Sequence, residues 1–299
     1  MATSLPSYIR LTAPRLRPLA ASYGGMVWGP DAVTLGRFVP LEVAGAGDLA
    51  PLLMGRLVRT AEAALARGAS LLVSADLEAA ARRVAPRQAT FWVHSHASWA
   101  MAKVLTDHVE ASMCVPRIGS DKAIGAYVTF SAGVVVGDRV TIGTSSVIGN
   151  PGFGWAVGPG GERVRMPQLG GVIIEDDVSI GPLVTIDAGT LGPTILRRGV
   201  KLDAHVHVGH NCEIGEDTVV AAQSGFAGSV RIGRRVLIGG QVGIADHVTV
   251  GDDARIAAKS GVIGDIAPGA VVAGYPAVAR MKWLRGLASL YRRTNESAE

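Results

Sequence analysis

The sequence predicts a mainly β protein: a solenoid of six-residue repeats, set between a small α/β domain and a C-terminal helix. Three observations lead there. An aliphatic residue returns every six positions through the second half, and glycine is abundant, 39 of 299 residues, against a common usage of about 7%. Helical and strand-like segments alternate only in the first third. Apolar residues at 48% are enough for a sizeable core, while aromatics are 5%.

The repeat is the strongest of the three signals. Ile118, Ile124, Phe130, Val136, Ile142 and Ile148 keep a spacing of six, which resumes at Ile174, Ile180 and Ile186. After a slip it runs from Leu196 through Leu202, Val208, Ile214, Val220, Phe226, Ile232, Ile238, Ile244, Val250 and Ile256 to Val262. Glycine often follows the aliphatic residue directly (Gly209, Gly215, Gly233, Gly239), and a small or β-branched residue stands four places on (Val206, Thr218, Val230, Val236). Neither an α-helix nor an alternating strand has this period. A coil of three short flat strands does, with one strand and one corner per hexad. Its aliphatic residues point into a stacked core, its coils lie about 4.8 Å apart, and glycine is expected to admit the corner backbone.

Taken in order, residues 1–110 read as the α/β domain. Residues 55–68, 76–84 and 98–109 are helical in pattern; 69–74 and 89–94 read as strands. Residues 111–276 carry the solenoid, which 151–171 leaves as a loop or hairpin. Residues 277–299 form a basic C-terminal helix.

Composition narrows the functional classes. With 29 Lys+Arg against 25 Asp+Glu the net charge is +4, and without a basic stripe no nucleic-acid partner is expected. No run approaches the roughly 18 apolar residues of a membrane span. Pro6, Pro14, Arg15, Arg17 and Pro18 interrupt the start, which speaks against a cleaved signal peptide. Two cysteines, Cys114 and Cys212, make no disulfide framework, and a reducing, cytoplasmic setting is expected. Cys212 falls at an inward place of its hexad and reads as packing; Cys114 carries no nucleophile pattern.

Several motifs are specific. They are Gly152-Phe153-Gly154-Trp155 with Met166-Pro167-Gln168-Leu169-Gly170, Thr185-Ile186-Asp187, Val208-Gly209-His210-Asn211, Ala227-Gly228-Ser229, and Ile238-Gly239-Gly240 leading to His247. Gly274-Tyr275-Pro276 and Trp283 follow at the solenoid's exit. With the order of domains, they resemble the UDP-3-O-acylglucosamine N-acyltransferase family of lipid A biosynthesis, over about residues 45–290. The resemblance implies a left-handed parallel β-helix of hexapeptide repeats, a homotrimer with sites between neighbouring solenoids, and an acyl carrier protein docking near the C-terminal helices.

Acyl transfer from a thioester to an amine needs a base for the amine proton and a donor for the oxyanion. His210 stands third in its hexad, where a side chain faces out of the coil, and an unperturbed imidazole pKa of about 6.5 suits a base. On the residues alone, a surface histidine is the bland alternative. The resemblance makes His210 the general base, Gly228 the oxyanion donor through its N–H, and His247 an auxiliary residue that positions substrate. It places substrate contacts at Asn211, Asp187, Asp203, Phe153 and Gln168, the acyl-chain pocket at Gly261 and Ile263, and carrier-protein contacts at Arg280, Lys282 and Arg285. No permanently bound cofactor or metal is expected. His205, His207 and His210 form H-x-H-x-x-H, but no cysteine or carboxylate completes a zinc pattern.

The resemblance departs at three places that bear on the acceptor. The family's aromatic and amide block for uracil reads Met54-Gly55-Arg56-Leu57-Val58-Arg59-Thr60; Asp-Arg-Gly becomes Asp187-Ala188-Gly189; and Asp-Asn becomes Asp203-Ala204. The acceptor is therefore either a UDP-glucosamine derivative, with Arg56, Arg59 or Trp92 rebuilding the nucleotide site, or another amine. The donor is an acyl-carrier-protein thioester, with acyl-CoA as the alternative. A non-catalytic binding or scaffold solenoid is the rival from another class.

Overall fold

The hexads close into coils because each inward place holds an aliphatic or small residue. In a computed structural model describing residues 9–12, 15–30, 33–111, 115–274 and 280–296, with backbone only for 111, 283 and 290–296, the repeat forms a parallel β-helix. Its strands stack into three sheets of seven, seven and eight, counted over the described residues. Thr185 pairs with His207, His207 with Gly225, Gly225 with Gly243 and Gly243 with Gly261. The later steps are 18 residues, three hexads to a turn. Val208, Phe226, Ile232, Ile238 and Ile244 are buried on the axis with Val206, Val230, Val236 and Val242. Where a small polar residue takes an inward place, it donates to a nearby carbonyl. Thr218 Oγ1 bonds Gly233 O at 2.9 Å, Ser224 Oγ bonds Gly239 O at 2.9 Å, and Cys212 Sγ lies 3.0 Å from Ala227 O. The solenoid goes beyond Val262 to a strand Val271–Val272 paired with Arg255–Ile256.

Glycine serves only some of the corners, Gly133 and Gly199 with φ of 78° and 77° among them, and most carry other residues. The left-handed backbone falls three places after the aliphatic residue, on His205, Asn211, Gln223, Gln241 and His247, with φ of 60°, 61°, 61°, 59° and 62°. The glycine directly after the aliphatic residue has another task. A Cβ on Gly209 would lie 2.7 Å from Phe226 O, on Gly215 2.3 Å from Gly233 O, and on Gly239 2.4 Å from Ala258 N. Absence of a side chain lets one coil settle on the next, so at these positions glycine answers to coil stacking and not to the corner backbone expected from the sequence.

Two departures from the 18-residue turn build the site. Val147 pairs with Thr185 across 38 residues, 20 more than a turn, and part of the excess leaves as an antiparallel hairpin, Trp155–Val157 with Arg163–Arg165. Thr185 pairs with His207 across 22, four more than a turn, and the excess bulges near residues 189–193.

The first domain is a seven-stranded mixed sheet. Its strands are β1 (Ile9–Leu11), β2 (Met26–Trp28), β3 (Arg37–Phe38), β4 (Asp48–Leu52), β5 (Ser70–Ser74), β6 (Phe91–His94) and β7 (Val109–Ala111), in the order β2-β6-β5-β4-β3-β1-β7. Strands β3 to β6 are parallel. Helices α1 (Leu16–Tyr23), α2 (Val58–Ala66), α3 (Glu78–Val84) and α4 (Ala97–Asp107) cover it. The sequence pattern points to α2–α4, β5 and β6; the shorter strands and α1 leave no periodic trace. The 55–68 segment begins as a 3-10 turn, Gly55–Leu57. Met166, Leu169 and Leu191, from the hairpin segment and the bulge, pack on this domain's core and join it to the solenoid. Helix α5 (Arg280–Glu296) follows the solenoid. No helix among the described residues is long and apolar enough to cross a membrane.

Candidate active site

His210 projects from a solenoid corner into the junction of solenoid, hairpin segment and first domain. Two glycines hold its ring. A Cβ on Gly152 would lie 2.9 Å from His210 Cβ and 3.0 Å from Cδ2, and one on Gly228 would lie 2.5 Å from Cε1 and 2.6 Å from Nε2. Either side chain would occupy the imidazole's space.

Hydrogen bonds set the tautomer. Asn211 Nδ2 donates to Gly192 O at 2.9 Å, and Asn211 Oδ1 accepts from Thr190 N–H at 3.0 Å. These partners orient the amide unambiguously. His210 Nδ1, 3.2 Å from Asn211 Oδ1, must therefore carry the proton, leaving Nε2 with a free lone pair. The Thr190 hydroxyl lies 2.9 Å from Gln168 Oε1 and 3.0 Å from Asn211 Oδ1. Thr194 Oγ1 accepts from Asn211 N at 2.8 Å. The bulge thus exists, in effect, to hold Asn211.

The ring stands between two recesses. On one side is a cavity of about 630 Å³, walled by Leu41, Leu53 and Leu57 of the first domain, Trp155 and Gln168 of the hairpin segment, and Asn211, Ser229, Arg231 and His247 of the solenoid. On the other is a groove of about 450 Å³ that passes Phe153, Asp187, His207 and Gly228 on its way to Gly225 and Gly243. His210 lines both.

His247 lies two coils on, in the same corner column: Ser229 N donates to His210 O at 2.8 Å and His247 N to Gly228 O at 3.0 Å. Arg56 Nη1 reaches across from the first domain to His247 O at 3.1 Å. Burial lowers the His247 pKa, and the positive charge of Arg56 lowers it further, against Asp246. Gly228 has the N–H proposed for the oxyanion, and among the described residues that N–H donates to no backbone carbonyl. Asp187 is buried in the groove, and burial pushes its carboxyl up, against the pull of His207, Asn150, His210 and Arg165. His207 Nε2 lies 3.8 Å from Asp187 Oδ2, and His207 Nδ1 lies 2.7 Å from Thr185 Oγ1.

The remaining expected positions lie further out. Asp203 is exposed and accepts from Ala204 N at 2.7 Å. Phe153 and Ile263 are 88% and 91% exposed, and Gly261 has no atom within 4 Å of a Cβ position. Arg280, Lys282 and Arg285 lie exposed on α5. Cys212 is fully buried with its thiol pushed up to about 12 by burial, as a packing residue should be. Cys114, Tyr275, Pro276 and the Trp283 side chain lie outside the described residues. Trp92 cannot meet a nucleotide: it is buried in the first-domain core, with Nε1 donating to Gly24 O at 2.9 Å. Sequence reasoning missed Thr190, Thr194 and Arg231, which no motif marks, and the clamping role of Gly152.

Comparison with known proteins agrees with this architecture. Residues 193–228 match the model of the bacterial transferase hexapeptide (six repeats), and 229–260 that of the hexapeptide repeat of succinyl-transferase. A UDP-3-O-acylglucosamine N-acyltransferase from Caulobacter vibrioides (strain NA1000 / CB15N) is 47% identical over 176 residues, 59% of this chain and 50% of its own length. One from Christiangramia forsetii is 57% identical over 79 residues, 26% of this chain and 23% of its own. The chain thus spans half or less of the length of these relatives. Among solved structures, the UDP-N-acetylglucosamine acyltransferase from Campylobacter jejuni is similar with a TM-score of 0.46 and 24% identity, over 55% of this chain and 69% of that one. The solenoid is a left-handed parallel β-helix of hexapeptide repeats, and over up to 59% of its length the chain is similar to UDP-3-O-acylglucosamine N-acyltransferases.

Proposed function

We propose that this protein is an N-acyltransferase that moves an acyl group from an acyl-carrier-protein thioester to an amine, with His210 as general base. The observation that carries the reading is the clamped His210 ring, its Nδ1 committed to Asn211 and its Nε2 free, standing between two recesses. Two recesses suit two substrates: the acceptor amine in the cavity, the thioester in the groove. As the amine attacks the thioester carbon, Nε2 takes its proton and the C–N bond forms. The oxyanion meets the Gly228 N–H. The C–S bond then breaks, and the thiol leaves with a proton returned from His210. His247 lines the cavity as a neutral positioning residue, and Asp187 faces the reacting groups from the groove.

UDP-3-O-acylglucosamine, which names the relatives, is the first acceptor to consider. A different amine is the second, because the wall at Leu41, Leu53 and Leu57 is aliphatic and Trp155 is the one Phe, Tyr or Trp among the cavity's described lining residues. In this reading the enzyme works in the cytoplasm as a homotrimer. A neighbouring copy closes the groove over Phe153, Gly261 and Ile263, and the carrier's acidic surface meets Arg280, Lys282 and Arg285. The test is thiol release from acyl-carrier protein in the presence of UDP-3-O-acylglucosamine. His210→Ala should lose roughly 10²-fold or more in kcat while its assembly state persists. Unchanged turnover would sink the reading, and a preference for acetyl-CoA would replace the donor.

A further inference from the structure

One cation in the cavity has no part in the chemistry above. Arg231 and Glu42 are the only permanently charged side chains among the cavity's described lining residues. Glu42 is exposed on the first-domain side, while Arg231 rises from the solenoid beyond Ser229. Arg231 ends a ladder of alternating charge on one sheet. Glu175 accepts from Arg197 Nη1 at 2.9 Å, Glu213 Oε1 accepts from Arg197 Nε at 2.8 Å, and Glu213 Oε2 accepts from Arg231 Nη1. Glu213 is shared, so Arg231 receives a single carboxylate oxygen from the ladder. Its side chain is 53% exposed, and a guanidinium presents five N–H donors in a planar fork. The ladder engages Nη1, and the residue lines both this largely aliphatic recess and a second one beside Glu216 and Asp252.

We propose that Arg231 is the anion anchor of this cavity, binding a phosphoryl group of the substrate and selecting for substrates that carry one. The inference rests on the acyltransfer reading for what enters the cavity. Glu42 repels such a group from the opposite side, so the phosphate lies against the solenoid, within two coils of His210. Two sources have this chemistry: the diphosphate of a nucleotide-sugar acceptor and the phosphate of the donor's pantetheine arm.

Calorimetry on the full chain distinguishes them, with UDP against uridine and pantetheine 4′-phosphate against pantetheine. One phosphorylated ligand should bind more tightly than its unphosphorylated partner, by roughly 10- to 100-fold for a charge-assisted bidentate contact. Arg231→Gln should erase that difference without weakening the unphosphorylated ligand, and Arg231→Lys should keep part of it. A UDP preference assigns the anchor to the acceptor, a pantetheine-phosphate preference to the donor. A phosphate preference that survives Arg231→Gln in a protein of unchanged melting temperature overturns the proposal, as does the lack of any preference. Neither result touches the His210 reading, which stands or falls on thiol release by His210→Ala.

Discussion

The His210 ring and the Cα of Gly228 are so close that a single methyl group decides between them. Gly228→Ala should displace the imidazole from Asn211, and misplacement by about 1 Å costs on the order of 10²-fold in rate. The check is kcat in a variant whose melting temperature matches the parent; full activity would show that the ring has another seat. Two titrations nearby run in opposite directions. Asp187 has its carboxyl pushed up, so the folded chain keeps that proton to higher pH than the unfolded chain. Stability from this group is present below the ordinary carboxylate range and lost as pH rises through its folded value. Asp187→Asn should raise the unfolding midpoint at about pH 7 and leave it unchanged at about pH 3. An equal gain at both would rule out charge as the cause. His247 is pushed down, so its contribution is present above the ordinary histidine range and lost as pH falls. Arg56→Ala should move the His247 titration upward, as read by NMR of the imidazole.

The coil sets its own rules for elements. Most of its strands are only two or three residues long, so stacking between coils must supply what strand length does not. Gly215 marks where this stacking is tight and Gly225 where it is open: a Cβ would meet Gly233 O at 2.3 Å in one case and nothing within 4 Å in the other. Gly215→Ala should cost about 1–3 kcal/mol by overpacking, and Gly225→Ala almost nothing, compared by urea denaturation. Equal costs would mean that glycine serves conformation after all. The corners show the converse. Leu183 holds φ at 58° and is 47% exposed, a conformation that costs a branched residue roughly 1 kcal/mol or more. Leu183→Asn should therefore stabilise the coil slightly.

Across the whole molecule, the hairpin segment is what turns a solenoid into a site. It supplies Gly152 and Gln168 to the His210–Asn211 pair and leans on α4 of the first domain, where His96 Nδ1 lies 3.1 Å from Val157 O. Replacing residues 153–167 with a short glycine linker should leave the β-helix folded by circular dichroism while thiol release falls about as far as in His210→Ala. Retained turnover would confine the site to the solenoid. The domains are joined by Leu191, Met166 and Arg56.

The beat of six was enough to determine the solenoid, nearly all of its core residues (Ile124, in the first coil, is exposed) and the outward place of His210. An inward position in a two-residue strand accepts only a compact apolar or self-satisfied side chain, and that restriction repeats visibly. The His-Asn pair, Gly228 and His247 were singled out through the resemblance of short motifs, and the coil brings them to neighbouring places at one corner. The first domain was half legible: helices and buried strands have periods, whereas two- and three-residue strands have none. Tertiary structure alone decided what glycine does after each aliphatic residue, because the clash it avoids is with the next coil. It also decided which partners hold Asn211, why Trp92 is core, and that Arg231 shares a cavity with Leu57. Those contacts join segments distant in the chain, and they depend on a 20-residue and a four-residue departure from the turn whose directions no local pattern encodes.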